Sequence, residues 1–133
     1  MELAELSRRA VAVRSRYAAV ETGRGGVPWS RAELAQGFAG DVGALMKLVM
    51  AKEGRREGPP ELEAKLEHEL ADCLWSVLVL ADAYGVNLEQ AFATTMTELE
   101  AKLPAARPKA VARGGAGRRI ARTKLGRSLS LNK

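Results

Sequence analysis

Apolar residues recur at helical spacing along most of residues 1–103, and this periodicity limits the fold more than any other feature of the sequence. In the first stretch they fall on one helical face at Leu3, Leu6, Ala10, Val13, Tyr17 and Val20. Aromatic residues make up only 5% of the chain, too few for an aromatic-rich β-sandwich core. The sequence therefore predicts an all-α fold, a bundle of four to five helices.

Two segments rich in glycine and proline interrupt this pattern and set the helix boundaries. The first, TGRGGVPW at residues 22–29, ends a helix predicted at about residues 2–21. Immediately after it, Ser30 and Glu33 have the spacing of a capping box. They predict a second helix that continues to about residue 53.

The second interruption, GRREGPP, separates the second helix from the third. Pro59 and Pro60 suit the first turn of a helix, where a missing N–H leaves no hydrogen bond unmade. The third helix is accordingly predicted at about residues 60–84. Asn87 caps a fourth helix, which ends before Pro104.

The third helix contains the most apolar stretch of the chain, CLWSVLVLA at residues 73–81. A helix that is apolar nearly all round needs neighbours on several sides. Because a thin four-helix monomer offers too few, the chain is predicted to form a homodimer or homotetramer. Trp75 projects away from the main apolar stripe, so it either covers the fourth helix or meets a second subunit, and a subunit interface is the favoured interpretation.

Charge is divided unevenly along the chain. Residues 104–133 contain nine Lys or Arg and no acid, whereas residues 1–103 carry a net charge of −4. The content of Pro, Gly and Arg predicts that residues 104–133 form a disordered tail, with a short helix at residues 118–129 as an alternative. The tail is interpreted as a solubilising extension, a nonspecific polyanion contact or a segment that folds over a nearby site.

Cys73 is the only cysteine, so no internal disulfide can form, and it is interpreted as a small buried hydrophobe. The start of the chain lacks the apolar core of a signal peptide. No apolar run reaches the roughly 20 residues that cross a bilayer. These features predict a cytoplasmic protein without a membrane partner.

Three carboxylates lie at the edges of apolar stripes, where a charge needs a partner. Glu69 and Asp72 border the stripe of the third helix, and Asp41 holds the position on the second helix that corresponds to Glu69. If these helices pack antiparallel, the three acids can converge on a small volume and bind Mg²⁺, which prefers oxygen ligands. Alternatively, each acid reaches water or pairs with a nearby base, namely Lys47, Lys65, Arg55 or Arg56.

The stretches GDVGALMKLV (residues 40–49), HELADCLWSVLVLADAYGVNLEQAF (residues 68–92) and MTELEAKL (residues 96–103) resemble the MazG-like all-α nucleoside triphosphate pyrophosphohydrolases. Those proteins carry E-x-x-E on one helix and E-x-x-D on the next. Glu69-Leu70-Ala71-Asp72 matches the second motif in full. The first motif is Asp41-Val42-Gly43-Ala44, so one acid is shortened and the other is lost.

The resemblance implies hydrolysis of a nucleoside triphosphate to monophosphate and pyrophosphate, as nucleotide-pool housekeeping. It implies that Asp41, Glu69 and Asp72 hold Mg²⁺, with Mn²⁺ as a substitute ion. Ala44 supplies no ligand, and the nearby candidates to replace it are His68, Glu67 and Glu53. The alternative is a weak or inactive relative that binds nucleotides or a partner protein and uses the basic tail for interaction.

Other residues are candidates for substrate contact. Trp29 could stack on a base or pack against the second helix as a hydrophobic staple. Arg55 and Arg56 lie in a loop, where they contact phosphates or are merely solvated. Glycines repeat every three residues in the second helix, which indicates close helix packing or, as a second choice, room for a nucleotide; they are Gly37, Gly40 and Gly43.

Overall fold

The computed structural model describes residues 1–105 of the chain. This part contains four α-helices and no strand: α1 (Leu3–Gly23), α2 (Arg31–Lys52), α3 (Leu62–Ala83) and α4 (Leu88–Lys102). The predicted all-α class is confirmed, with four helices. None of these helices combines the length and the hydropathy that spanning a membrane requires. The helix considered at residues 118–129 lies outside the described residues, and so does nearly all of the basic segment.

Both predicted helix caps are confirmed. The backbone N–H of Glu33 donates to Ser30 Oγ at 3.2 Å, and the backbone N–H of Ser30 donates to Glu33 Oε2 at 2.7 Å. This reciprocal pair satisfies two N–H groups that would otherwise lack acceptors at the start of α2. At the start of α4, the Asn87 side chain accepts a hydrogen bond from the backbone N–H of Gln90 at 3.1 Å.

The start of α3 differs from the prediction. The helix begins at Leu62, so Pro59 and Pro60 precede its first turn. Glu61 has a left-handed backbone conformation, with φ of 59°, and its side chain makes no capping hydrogen bond. Because a left-handed residue interrupts right-handed helical geometry, the prolines cannot belong to the same helix.

Helices α2 and α3 form the main packed pair, and contacts at their two ends show that they run antiparallel. Lys52 at the end of α2 forms an ion pair with Glu63 at the start of α3. At the opposite end, the Arg31 guanidinium lies 5.3 Å from the centre of the Tyr84 ring. The arrangement that would bring the acids of the two helices together is therefore present.

Helix α1 packs on α3 through Trp75. The Trp75 Nε1–H donates to the backbone oxygen of Ala10 at 3.2 Å, and the Tyr17 ring meets the indole edge-to-face at 6.3 Å. The prediction that Trp75 covers the fourth helix or a subunit interface is wrong, because helical spacing does not specify which neighbour a side chain meets. The buried core beside this contact consists of Ala10, Leu34, Leu78 and Val79.

Helix α4 leaves an apolar face uncovered. Phe92 is 62% exposed, Leu99 48% and Leu103 67%. These residues lie at helical spacing, so their side chains share one side of α4. A contiguous apolar surface of this kind is typical of a contact with another protein surface.

Candidate functional site

Glu69 lies in the first half of α3 and is the most unusual carboxylate of the described residues. Its Oε2 atom is buried and has no hydrogen-bond partner. A buried carboxylate oxygen without a partner costs free energy, since it has lost water and gained nothing in exchange. This oxygen is therefore suited to accept a partner that the chain itself does not supply, such as a cation.

Asp72 lies one helical turn beyond His68, and the two side chains contact each other. His68 Nε2 is 3.1 Å from Asp72 Oδ2. The imidazole is largely exposed, and the carboxylate is 44% exposed. This contact holds one oxygen of Asp72 and leaves the other available to a ligand.

Asp41 on α2 joins these two acids around the half-buried thiol of Cys73. Burial raises the pKa of Cys73, and the negative charges of Asp41, Glu69 and Asp72 raise the pKa further. Charges shift a pKa in this way only when they are near the titrating group. All three acids therefore lie near Cys73, and their convergence on a single metal site stays a prediction.

Two cavities flank the antiparallel pair. The hairpin groove, about 1030 Å³ in volume, lies between α2, the loop after it and the first half of α3, and it includes Ala44 and Glu69. The aromatic cleft, about 920 Å³ in volume, is lined by side chains from α1, α2 and α3, including Asp41 and Asp72. The acids are therefore divided between two cavities, with Glu69 in one and Asp41 and Asp72 in the other.

The donor set fits a hard divalent cation in chemistry, and the unpartnered Glu69 oxygen supports that fit. Within residues 1–105, however, no group of three His, Cys, Asp or Glu side chains is close enough together to hold a metal ion. Ala44 contributes only a methyl group to the wall of the groove. The site is thus short of protein ligands, and a bound ion would depend on oxygens from water or substrate.

The ion pairs of the alternative interpretation are absent from the described part of the chain. There, Asp72 pairs with His68, and neither Asp41 nor Glu69 forms a salt bridge. The bases proposed as their partners also form none: Lys47, Lys65, Arg55 and Arg56. Pairing with these four bases is therefore not seen in this part of the chain, whereas the other form of that interpretation, an acid that reaches water, is consistent with Asp72, which is 44% exposed.

The structure separates the two candidate arginines. Arg56 lines the hairpin groove, whereas Arg55 does not line either cavity. Lys47 and Lys65 also line the groove, and sequence reasoning considered them only as ion-pair partners. Helical spacing could have identified these two lysines as groove residues. Lys47 follows Ala44 by three residues and Lys65 precedes Glu69 by four, so each lysine shares a helix face with a residue of the groove.

Trp29 packs against α2, which is one of its two predicted positions, whereas the surroundings of the three glycines of α2 differ from close helix packing. The Trp29 ring lies against Gly37, where an added Cβ would be 2.8 Å from Trp29 Cζ3. Gly37 thus makes room for an indole rather than for a helix, and Trp29 packs on α2 while remaining 56% exposed. An added Cβ at Gly40 or Gly43 would meet nothing within 4 Å, so close helix packing does not explain these two glycines, and room for a nucleotide stays a prediction.

Comparison with protein families agrees with this arrangement. The model of the MazG nucleotide pyrophosphohydrolase domain matches residues 32–106, more than half of the chain. The chain belongs to this family. The matched segment contains Asp41, Glu69 and Asp72, whereas α1 and Trp29 precede it. Searches of curated proteins and of solved structures found no match.

Proposed function

We propose that the chain is a nucleoside triphosphate diphosphatase, which hydrolyses ribo- or deoxyribonucleoside triphosphates to the monophosphate and pyrophosphate. The observation that carries this proposal is the buried, unpartnered oxygen of Glu69, in a chain of the MazG family. Asp41, Glu69 and Asp72 support it, because all three raise the pKa of Cys73 and therefore lie in the same region of the α2–α3 pair. Its role in the cell would be nucleotide-pool housekeeping in the cytoplasm.

In this proposal Asp41, Glu69 and Asp72 hold Mg²⁺, or Mn²⁺ in its place. When bound, such an ion neutralises phosphate charge and acidifies a coordinated water. His68 fixes one oxygen of Asp72 through their contact at 3.1 Å and thereby orients the other oxygen. Glu69 supplies an oxygen that water does not reach, which strengthens its attraction for a cation.

The aromatic cleft is the proposed location of the nucleobase. Trp29, Tyr17 and Trp75 line it together with Asp41 and Asp72, so the base would lie beside the acids. Trp29 is the best placed for stacking, because its ring packs on Gly37 and remains 56% exposed. Base stacking on such a ring contributes about 1–3 kcal/mol and tolerates different bases.

A second candidate function is nucleotide or partner binding with little or no turnover. Ala44 favours it, since the loss of a carboxylate removes a ligand that a family member would use. The division of the acids between two cavities favours it as well. In that case the basic segment of residues 104–133 would serve as an interaction arm.

The test is pyrophosphate release by the purified chain over a panel of ribo- and deoxyribonucleoside triphosphates with Mg²⁺ or Mn²⁺. Glu69→Gln is the negative variant. Glu67→Gln is its matched control, because the structure leaves Glu67 exposed and outside both cavities and so does not support it as a replacement ligand for Ala44. Turnover that is lost in Glu69→Gln and kept in Glu67→Gln supports the enzyme. Nucleotide binding without turnover supports the second candidate, and absence of both contradicts the two proposals together.

Restoring the missing acid sharpens this test. Ala44 and Glu69 line the same groove, so a carboxylate at position 44 would face the site. If the metal site is limited by its ligand count, Ala44→Glu should raise kcat at saturating Mg²⁺. An unchanged or lower kcat would argue against a site that lacks only this ligand.

A further inference from the structure

The hairpin groove carries three cationic side chains that have no partner in the described structure. Lys47 comes from α2, Arg56 from the connecting loop and Lys65 from α3, so the cations approach the groove from three segments. Within residues 1–105, none of the three forms a salt bridge. Lys52, by contrast, lies five residues beyond Lys47 and is paired with Glu63.

Small residues keep the α2 wall of the same groove open. Gly40, Gly43 and Ala44 form its α2 wall, and an added Cβ at either glycine would meet nothing within 4 Å. Glycine in a helix interior lowers helix stability relative to alanine. The space beside these residues is therefore obtained at the expense of helix stability, and the three cations and Glu69 line the same groove.

We propose that the hairpin groove binds the polyphosphate end of the nucleotide through Lys47, Arg56 and Lys65. This inference rests on the proposed function, which it deepens by assigning the two ends of the substrate to different cavities. The phosphates lie in the hairpin groove, and the base lies in the aromatic cleft. Glu69 in the groove, and Asp41 and Asp72 in the cleft, would then flank the phosphate bonds that join the two ends of the substrate.

Charge supports a polyphosphate as the occupant. The groove presents three exposed cations against two carboxylates, Glu57 and Glu69, and Ala44 adds no further negative charge. Lysine and arginine bind phosphate oxygens through charge-assisted hydrogen bonds, and arginine can do so with two parallel bonds. Protein cations thus neutralise phosphate charge at the end of the site where a carboxylate is missing. Phosphate binding in this groove therefore does not require a metal ion.

The test measures binding of inorganic triphosphate to the full chain by titration calorimetry in EDTA, where no metal-dependent hydrolysis occurs. Lys47→Ala and Arg56→Ala should each raise Kd roughly tenfold, since a charge-assisted hydrogen bond contributes about 1.5–3 kcal/mol. Arg55→Ala is the matched control, because this neighbouring arginine lies outside the groove. Residues 104–133 are the same in all variants, so binding of triphosphate to their positive charges cannot cause a difference in Kd between variants.

A third variant tests the place of binding. Ala44→Glu adds a negative charge to the groove, so it should weaken metal-free triphosphate binding several-fold. Equal losses in Arg55→Ala and Arg56→Ala, or tight binding retained by Lys47→Ala and Arg56→Ala, would overturn the inference. So would displacement of triphosphate by a single-stranded oligonucleotide at equal phosphate concentration, because this result would identify a nucleic-acid surface.

Failure of the inference and failure of the proposed function give different results. If nucleoside triphosphates are hydrolysed while Arg56→Ala changes neither Kd nor KM, the enzymatic function is supported and polyphosphate binding in the groove is refuted. If triphosphate binding depends on Arg56 while no nucleotide is hydrolysed, polyphosphate binding in the groove is supported and the enzymatic function is refuted.

Discussion

The indole nitrogen of Trp75 lies 3.2 Å from the backbone oxygen of Ala10, and this hydrogen bond ties α3 to α1. Trp75 also lines the aromatic cleft, and Asp72 precedes it by three residues on the same helix. The contact therefore fixes the part of α3 that carries an acid of the candidate site. It links the stability of the fold to the geometry of that site.

Replacing Trp75 with phenylalanine should lower the free energy of unfolding by about 1 kcal/mol or more, because the Ala10 oxygen loses its donor and packing volume is lost. Urea denaturation followed by circular dichroism measures the change. Trp29→Phe is the control, since the structure gives the Trp29 side chain no hydrogen bond within residues 1–105. Equal stability of Trp75→Phe and the natural chain would contradict the role of this contact.

The three glycines of α2 should respond differently to alanine. Gly40→Ala and Gly43→Ala each should stabilise the chain by up to about 1 kcal/mol, because the added methyl meets open space and improves helix propensity. Gly37→Ala should gain less or destabilise, because its methyl would displace the Trp29 ring. Thermal unfolding of the three variants ranks them, and a Gly37→Ala protein as stable as Gly40→Ala would refute the packing of Trp29 on α2.

Glu69→Gln should make the metal-free chain more stable by about 1 kcal/mol, because it removes the charge from a buried oxygen that has no partner. The same variant should lose the stabilisation that added Mg²⁺ gives to the natural chain. Thermal unfolding with EDTA and with Mg²⁺ measures both effects, and Glu67→Gln should show neither. Destabilisation of the metal-free Glu69→Gln chain would mean that the carboxylate has a structural role.

Cys73 reports on the convergence of the acids. Because burial and the charges of Asp41, Glu69 and Asp72 raise its pKa, the thiol stays protonated to a higher pH than an ordinary cysteine. Asp72→Asn removes one of these charges and should lower the pKa, so alkylation by iodoacetamide at pH 8.5 becomes faster. Glu67→Gln is the control. An unchanged rate in both Asp72→Asn and Asp41→Asn would indicate that the acids lie too far from the thiol to act on it.

The raised pKa of Cys73 also has a consequence for stability. The folded chain disfavours the thiolate, so the unfolded chain ionises first as the pH rises. The stabilisation is complete below the ordinary thiol pKa and is lost as the pH rises through the higher pKa of the folded state. Cys73→Ser should therefore reduce the fall in unfolding free energy between pH 8 and pH 11, as measured by urea denaturation.

The exposed face of α4 is the proposed interface of a homodimer or homotetramer. Phe92→Glu places a charge in the middle of this face and should convert the assembly to a monomer of 14.3 kDa. Light scattering coupled to size-exclusion chromatography measures the mass. Val27→Glu is the control, because Val27 is exposed in the loop before α2. A natural chain that is already monomeric at high concentration would exclude this interface.

Local features of the sequence predicted local structure well. The capping box at Ser30 and the cap at Asn87 were correct because each depends on residues three positions apart. The start of α3 was wrong because Glu61 adopts a left-handed conformation that proline spacing does not reveal. Trp75 was assigned the wrong neighbour because periodicity defines a face and does not identify the helix that covers it.

For the candidate site too, helical spacing predicted which residues share a face and did not predict what surrounds them. Helical spacing placed Asp41, Glu69 and Asp72 on facing sides of α2 and α3, and the charge around Cys73 agrees. The division of these acids between two cavities depends on how closely α2 and α3 pack. The spacing of residues along a single helix does not contain this information. The groove position of Lys47 was missed because this lysine was interpreted only as an ion-pair partner for the acids.

Helices α2 and α3 are consecutive and antiparallel, and a loop of nine residues joins them. The two helices supply all three acids, and together with the loop they form the whole hairpin groove. Contacts between neighbouring segments close short loops, so they cost little chain entropy and form early in folding. The phosphate half of the site can therefore assemble before α1 and α4 dock. By contrast, the cleft proposed for the base needs α1, so selection among bases would be the last property that the folding chain acquires.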